Sequence, residues 1–228
     1  MNKLIKLISL IIISLSVYFV YYKTYNSYYQ ITAIGDQLLL GKDNKGFRDS
    51  NYIDYYKEYI KKEKNKVIID KTYSKKNQTI ENYLQLLKNS PEAKRKLIDS
   101  NLVIITLGYN DLVYNLSIEE KNDERTINNV IIQIKKNYNE LIKEIKKYYH
   151  KDIIVIGYNE NINDNYINKG IKELNNILED NKKVYFIDTY NLLNNRYKYF
   201  SNSSNIYPNN NGYYEITKKI ISKTLEIS

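Results

Sequence analysis

The chain has 228 residues, 43% of them hydrophobic and only two of them proline, so a disordered or collagen-like chain is excluded and one well-buried domain is within reach. It has no cysteine, which excludes a disulfide framework, a thiolate metal site and a Cys nucleophile together. The net charge of +9 comes mostly from lysines mixed with Glu, Asp and Asn; without an Arg cluster or a nucleic-acid motif it reads as a solvated surface, compatible with an anionic envelope polymer or lipid but not pointing to nucleic acid.

The chain opens "MNKLIKLISLIIISLSVYFVYYK", with Lys3 and Lys6 ahead of an apolar run. As a helix, residues 4–22 would be about 28 Å long, enough for a bilayer core. Residues 1–23 are therefore expected to form a signal anchor or transmembrane helix, with Tyr18, Tyr21 and Tyr22 at the outer interface. The competing reading is a cleaved signal peptide, but no small-x-small cleavage pattern is visible. The expected arrangement is a single-pass protein of the cell membrane, with a tether over 24–30 and an extracellular domain over 31–228.

From residue 31 onward, short β-branched runs alternate with helical patterns. The spacing predicts strands over 31–34, 67–69, 102–107, 153–157 and 184–187, each continuously apolar as in a parallel sheet covered on both faces. It predicts helices over 52–62, 79–87, 127–149, 166–178 and 211–225, and Pro91 opens a short one after Ser90. The last helix is entered through a loop with Pro208 and Gly212, and Asn210 or Asn211 is its expected N-cap. The implied fold is α/β, a three-layer α/β/α sandwich with a flavodoxin-like five-stranded parallel sheet of order 2-1-3-4-5. In such a sheet a ligand site lies beyond the carboxyl ends of the first and third strands. The segments there are "GDQ" (35–37) and "GYND" (108–111), so Gly35, Asp36, Gln37, Gly108, Asn110 and Asp111 are expected to line one crevice.

Three blocks carry a resemblance. "IGDQLLLG" (34–41), "ITLGYNDL" (105–112) and "NIYPNNNGYYEI" (205–216) resemble, in order and in placement, three sequence blocks of the SGNH hydrolase (GDSL esterase/lipase) family. The resemblance implies acyl-ester hydrolysis or transfer through a Ser-His-Asp triad, with an oxyanion hole built from the Ser N–H, a Gly N–H and an Asn side chain. Carried over by position, Gln37 stands at the nucleophile, Tyr207 at the base His and Ser204 at the acid Asp. A primary amide is no acyl acceptor there, and a phenol with an ordinary pKa near 10 is a poor base at neutral pH. The second block should bring a Gly after the second strand, but "DKTYSKKNQT" (70–79) has none. Asn110 matches the oxyanion-hole Asn, and Gly108 and Asp111 keep its setting.

No other residue supplies the missing triad. The single histidine, His150, falls between the long helix and the fourth strand, at the sheet's amino edge and away from the crevice. Asp36, Asp70, Asp111, Glu160 and Asp188 follow strands and are candidates for a hard-metal site, but helix caps and turns explain them better. "GYND" (108–111) is echoed by "GYNE" (157–160); chance in an Asn- and Tyr-rich chain explains the echo, and so does a polar, aromatic-walled pocket. The aromatic stretch "YNLLNNRYKYF" (190–200) reads as packing Tyr rather than a carbohydrate platform.

The expected function is a catalytically inactive pseudo-esterase with a binding or scaffold role at the cell envelope, holding an acylated glycan or a protein partner in a crevice that includes Tyr207. No cofactor is expected. The alternative is an esterase or acyltransferase of altered mechanism on acyl esters of envelope glycans or lipids, which needs Ser203 or Ser204 moved into place, or a bound metal. A third reading is a scaffold that uses the basic outer faces instead of the crevice.

Overall fold

The computed structural model describes residues 3–26, 28–41, 50–64, 66–119, 123–161, 163–202 and 206–227. An N-terminal helix, α1 (Lys3–Asn26), precedes strand β1 (Tyr29–Gly35), the one-turn helix α2 (Gln37–Leu40) and α3 (Tyr52–Ile60). Strand β2 (Val67–Asp70) leads to α4 (Ile80–Asn89) and α5 (Pro91–Ile98), and β3 (Leu102–Thr106) to α6 (Tyr109–Ile118) and α7 (Glu124–Lys146). Then come β4 (Ile153–Ile156), α8 (Asn165–Glu179), β5 (Tyr185–Ile187), the short α9 (Thr189–Leu192) and α10 (Arg196–Tyr199), and α11 (Asn210–Ile227).

All five strands are parallel, in the order β2-β1-β3-β4-β5. Every residue of β3 and β4 is buried, so both sheet faces are covered. One layer packs α4, α6, α7 and α8 together, and α3 packs with α11 in the other. Helix α7 shows why the layer holds. Its Ile127, Val130, Ile131, Ile134, Tyr138, Leu141, Ile142 and Ile145 form one buried stripe. Each such aliphatic side chain contributes about 1.5–3 kcal/mol when removed from water.

The helix starts follow from local capping. Thr79 Oγ1 accepts from Asn82 N at 3.1 Å to begin α4, and Ser90 Oγ accepts from Ala93 N at 3.2 Å ahead of Pro91. Helix α7 starts a turn earlier than its apolar stripe predicts, because Asp123 Oδ1 accepts from Thr126 N at 2.8 Å. The final helix is capped by Asn209, not by the expected Asn210 or Asn211: its Oδ1 accepts from Gly212 N at 3.1 Å. Register does the rest: Gly35 at the end of β1 lies opposite Thr106 at the end of β3, so the two turns that follow leave the sheet side by side.

The N-terminus requires a correction. Among the described residues, no helix is long and apolar enough to cross a membrane. The sequence of α1 carries Lys6, Ser9, Ser14 and Ser16 within its Ile and Leu run and finishes in Tyr21-Tyr22-Lys23-Thr24-Tyr25-Asn26. The three-layer α/β/α fold therefore stands without the transmembrane helix that the sequence led us to expect. The expected tether over 24–30 overlaps the end of α1 at Asn26 and the start of β1 at Tyr29.

Candidate functional site: a crevice plugged by Gln37

The first wall is the turn after β1. Gly35 is required there, since an added Cβ would lie 2.8 Å from Leu39 Cβ and 3.1 Å from Thr106 O. Its N–H donates to Ser74 Oγ at 3.0 Å, and that hydroxyl donates to Ala33 O at 2.7 Å, which pins the loop after β2 against the turn. Asp36 caps α2, accepting from Leu38 N at 3.0 Å, while its second oxygen accepts from the Tyr158 hydroxyl at 2.9 Å. The carboxyl is 2% exposed. Burial raises its pKa to about 7, with the nearby charge of Asp111 adding to the shift and the bonds from Tyr158 and Leu38 opposing it.

The second wall is the turn after β3. Gly108 takes φ +129°, a conformation side chains avoid, and its α-carbon faces Leu174, whose Cδ1 would lie 2.9 Å from an added Cβ. The turn places Asn110 and Asp111 in the first turn of α6. Both oxygens of Asp111 accept from Ile80 N, at 3.1 and 3.0 Å, tying this turn to the start of α4. Burial pushes Asp111 up to about 7, against the hydrogen bonds from Ile80.

Between these walls lies the side chain of Gln37. Its Oε1 accepts from Asn110 Nδ2 at 3.0 Å and from the backbone N–H of Asn77 at 3.3 Å. Its Nε2 donates to Asn110 Oδ1 and to Asn77 Oδ1, both at 3.3 Å. Asn110 Nδ2 also donates to Gln78 O at 3.0 Å. A backbone N–H can only donate and a backbone C=O can only accept, so Asn77 and Gln78 fix which way both amides face. Asn77 takes φ 59°, left-handed and tolerated by Asn better than by most residues. The loop that lacks the expected glycine thus still aims a backbone donor at the crevice, from Asn77.

The third wall comes from the end of the chain. Tyr207 and Ile206 meet Gln37, Leu38, Tyr109 and Tyr158 around a narrow pocket of about 20 Å³. The echoed motifs meet here: the Tyr109 and Tyr158 rings lie 5.5 Å apart, and Asn159 closes the pocket by donating to Ile206 O at 3.1 Å. The Tyr207 phenol is pushed well up by burial and by the negative charge of Asp36, against hydrogen bonding to Gln37, so it holds its proton. Structure thus brings Gly35, Asp36, Gln37, Gly108, Asn110, Asp111 and Tyr207 to one edge. Ser203 and Ser204 lie outside the described residues.

His150 is exposed and lies beside Lys146 and Asp152 at the amino edge of the sheet, apart from the crevice. The strand-end acids are held locally. Asp188 caps α9 through Asn191 N at 3.2 Å, Asp70 pairs with Lys96 at 2.6 Å, and Glu160 accepts from Asn168 at 3.3 Å. Among the described residues, no group of three or more acidic or histidine side chains is placed to hold a metal ion. The sequence reading missed Asn77, Gln78 and Tyr158; only the "GYNE" echo pointed towards the last of these.

The chain matches the family model for GDSL-like lipase/acylhydrolase over residues 24–220. Among solved structures, it is similar to a lipase from a goat rumen metagenome, with TM-score 0.71 and 24% identity over 85% of this chain and 96% of that one. It is also similar to a catalytic mutant of an acetylxylan esterase from Geobacillus stearothermophilus, with TM-score 0.63 and 13% identity over 86% of this chain and 93% of that one. A lipase/acylhydrolase from Enterococcus faecalis gives TM-score 0.60 and 18% identity over 86% of this chain and 94% of that one. At these identities the structures speak for the fold alone. No curated protein matches the chain in sequence. With the family model covering residues 24–220 and the sheet order and turn motifs in place, the chain belongs to the GDSL-like lipase/acylhydrolase family.

Proposed function

We propose that this chain is a non-hydrolysing member of its family that binds at its crevice instead of turning esters over. One observation carries the reading: the carbonyl oxygen of Gln37 accepts from both Asn110 Nδ2 and the Asn77 N–H. Those are the kinds of donor that would stabilise the oxyanion of an ester-cleaving transition state. Here they are engaged by a neutral amide belonging to the chain itself. Turnover needs that place vacant, a nucleophile beside it and a base to take its proton. Gln37 fills the place and offers no nucleophile, and Tyr207 keeps its proton at neutral pH. The space beside Gln37, walled by Tyr109 and Tyr158, measures about 20 Å³, room for a group the size of one water or a methyl.

The experiment is labelling of the full chain with a fluorophosphonate, which traps activated serines covalently. The proposal expects an unlabelled mass at neutral pH. A stoichiometric adduct on any serine, Ser203 and Ser204 included, would establish a displaced nucleophile and overturn it.

A further inference from the structure

The edge of the sheet opposite the crevice carries a groove of different electrostatic character. It holds about 480 Å³, the size of an ordinary small-molecule pocket, between the end of α7 and the turn from α8 into β5. Lys146, Lys182 and Lys183 line it together with His150, Tyr185 and a single acid, Asp152. With His150 neutral, three positive charges face one negative charge, and the lining is left with an excess of positive charge.

These lysines are held near one another by the fold. Lys146 is half-buried, and its Nζ donates to Lys151 O at 2.7 Å, which fixes the ammonium at the groove. Burial holds it below the ordinary lysine range; Asp152 opposes that shift, and the charge of Lys183 adds to it. Lys183 is fixed through its backbone, whose N–H donates to Asn181 Oδ1 at 3.0 Å in a turn closed by Val184 N on Asn181 O at 3.1 Å. None of Lys146, Lys182 and Lys183 makes an ion pair among the described residues, although eight other lysines do. The carbonyl ends of α7 and α8 reach this edge and weakly favour cations nearby. That accounts for lysines at this edge, but not for one held half-buried within reach of another's charge.

We infer that this groove binds a small phosphorylated molecule, its phosphate meeting Lys146, Lys182 and Lys183 and its organic part lying against the Tyr185 ring. A phosphate monoester carries about −1.5 to −2 charges at neutral pH and offers three acceptor oxygens. That matches the excess charge of the lining, and ammonium groups donate hydrogen bonds without accepting any. The Tyr185 ring is 37% exposed, which leaves apolar surface beside the cations. A phosphate there relieves the repulsion between Lys146 and Lys183. The inference does not rest on what Gln37 does, because the groove lies at the amino edge of the sheet, away from the crevice.

The test is calorimetric titration of the full chain, at neutral pH and low salt, with inorganic phosphate, pyrophosphate and phenyl phosphate. Benzoate serves as the monoanionic control and phosphatidylglycerol vesicles as an anionic lipid surface. At least one phosphate probe is expected to bind more tightly than benzoate, and to weaken as salt is added. Lys146→Gln and Lys183→Gln should each weaken that binding about three- to tenfold. Asp152→Asn, which removes the only acid of the lining, should tighten it about two- to fivefold. Lys76→Gln, an exposed lysine in the loop after β2, should leave it unchanged. Lys183 is exposed, so its variant reads binding even where Lys146→Gln disturbs the end of α7. Three results would overturn the inference: no phosphate probe bound at millimolar concentration, phosphate binding that both Lys146→Gln and Lys183→Gln leave unchanged, or binding of the vesicles alone.

Discussion

Gln37 and Asn110, 73 positions apart in sequence, face each other as a reciprocal amide pair, with bonds of 3.0 and 3.3 Å closing the space between the turns after β1 and β3. The pair couples two strand ends that the sheet already sets side by side. It also fastens the loop after β2, since both residues reach Asn77 or Gln78 as well.

That coupling is measurable. Gln37→Ala and Asn110→Ala should each cost about 1 kcal/mol in urea unfolding, and the double variant should lose less than the sum by about 0.5–1.5 kcal/mol. Strict additivity would show that the two amides do not meet.

A second expectation concerns pH. Asp36 has an ordinary pKa of 3.8 and a folded value of about 7, raised first by burial. The folded state therefore binds the proton more tightly than the unfolded state. The stability tied to that proton is present in full below about pH 4 and is lost as the pH rises through about 7. Asp36→Asn removes the cost of burying the charge, so its advantage over the native chain should be near zero at pH 4 and grow, by up to about 4 kcal/mol, towards pH 8. Thermal unfolding of both proteins across that range checks it. A difference that stays constant with pH, or shrinks towards pH 8, contradicts the assignment.

Gly108 provides a backbone test. With φ at +129° and Leu174 Cδ1 2.9 Å from where a Cβ would stand, Gly108→Ala should cost about 1–3 kcal/mol in denaturant unfolding. The cost should fall when Leu174→Ala makes room, leaving only the backbone part. An unchanged midpoint for Gly108→Ala alone would show that this turn is built differently.

Much of this was legible in the sequence because it is local and periodic. Continuous apolar runs marked all five strands, the stripe from Ile127 to Ile145 marked α7, and Thr79 and Ser90 marked the starts of α4 and α5. Helix α6 was not predicted as a helix: it begins at Tyr109, inside the "GYND" motif, behind a glycine whose place in the cap carries no side-chain hydrogen bond. The partners of Gln37 and Asp36 escaped for a different reason. Asn77 lies 40 positions from Gln37, and Tyr158 lies 122 from Asp36, so only the folded sheet brings them together. The N-terminus failed in the other direction. Its Ile and Leu run suggested a membrane span, whereas among the described residues no helix is long and apolar enough to cross a membrane.

The central claim is that Gln37 fills the place an ester carbonyl would need. The direct measurement is release of p-nitrophenol from p-nitrophenyl acetate by the full native chain at neutral pH, with Asn110→Ala run beside it. The account predicts a rate indistinguishable from buffer for both proteins. Turnover above buffer by the native chain, lowered by Asn110→Ala, would contradict it and place a working oxyanion hole where Gln37 now sits.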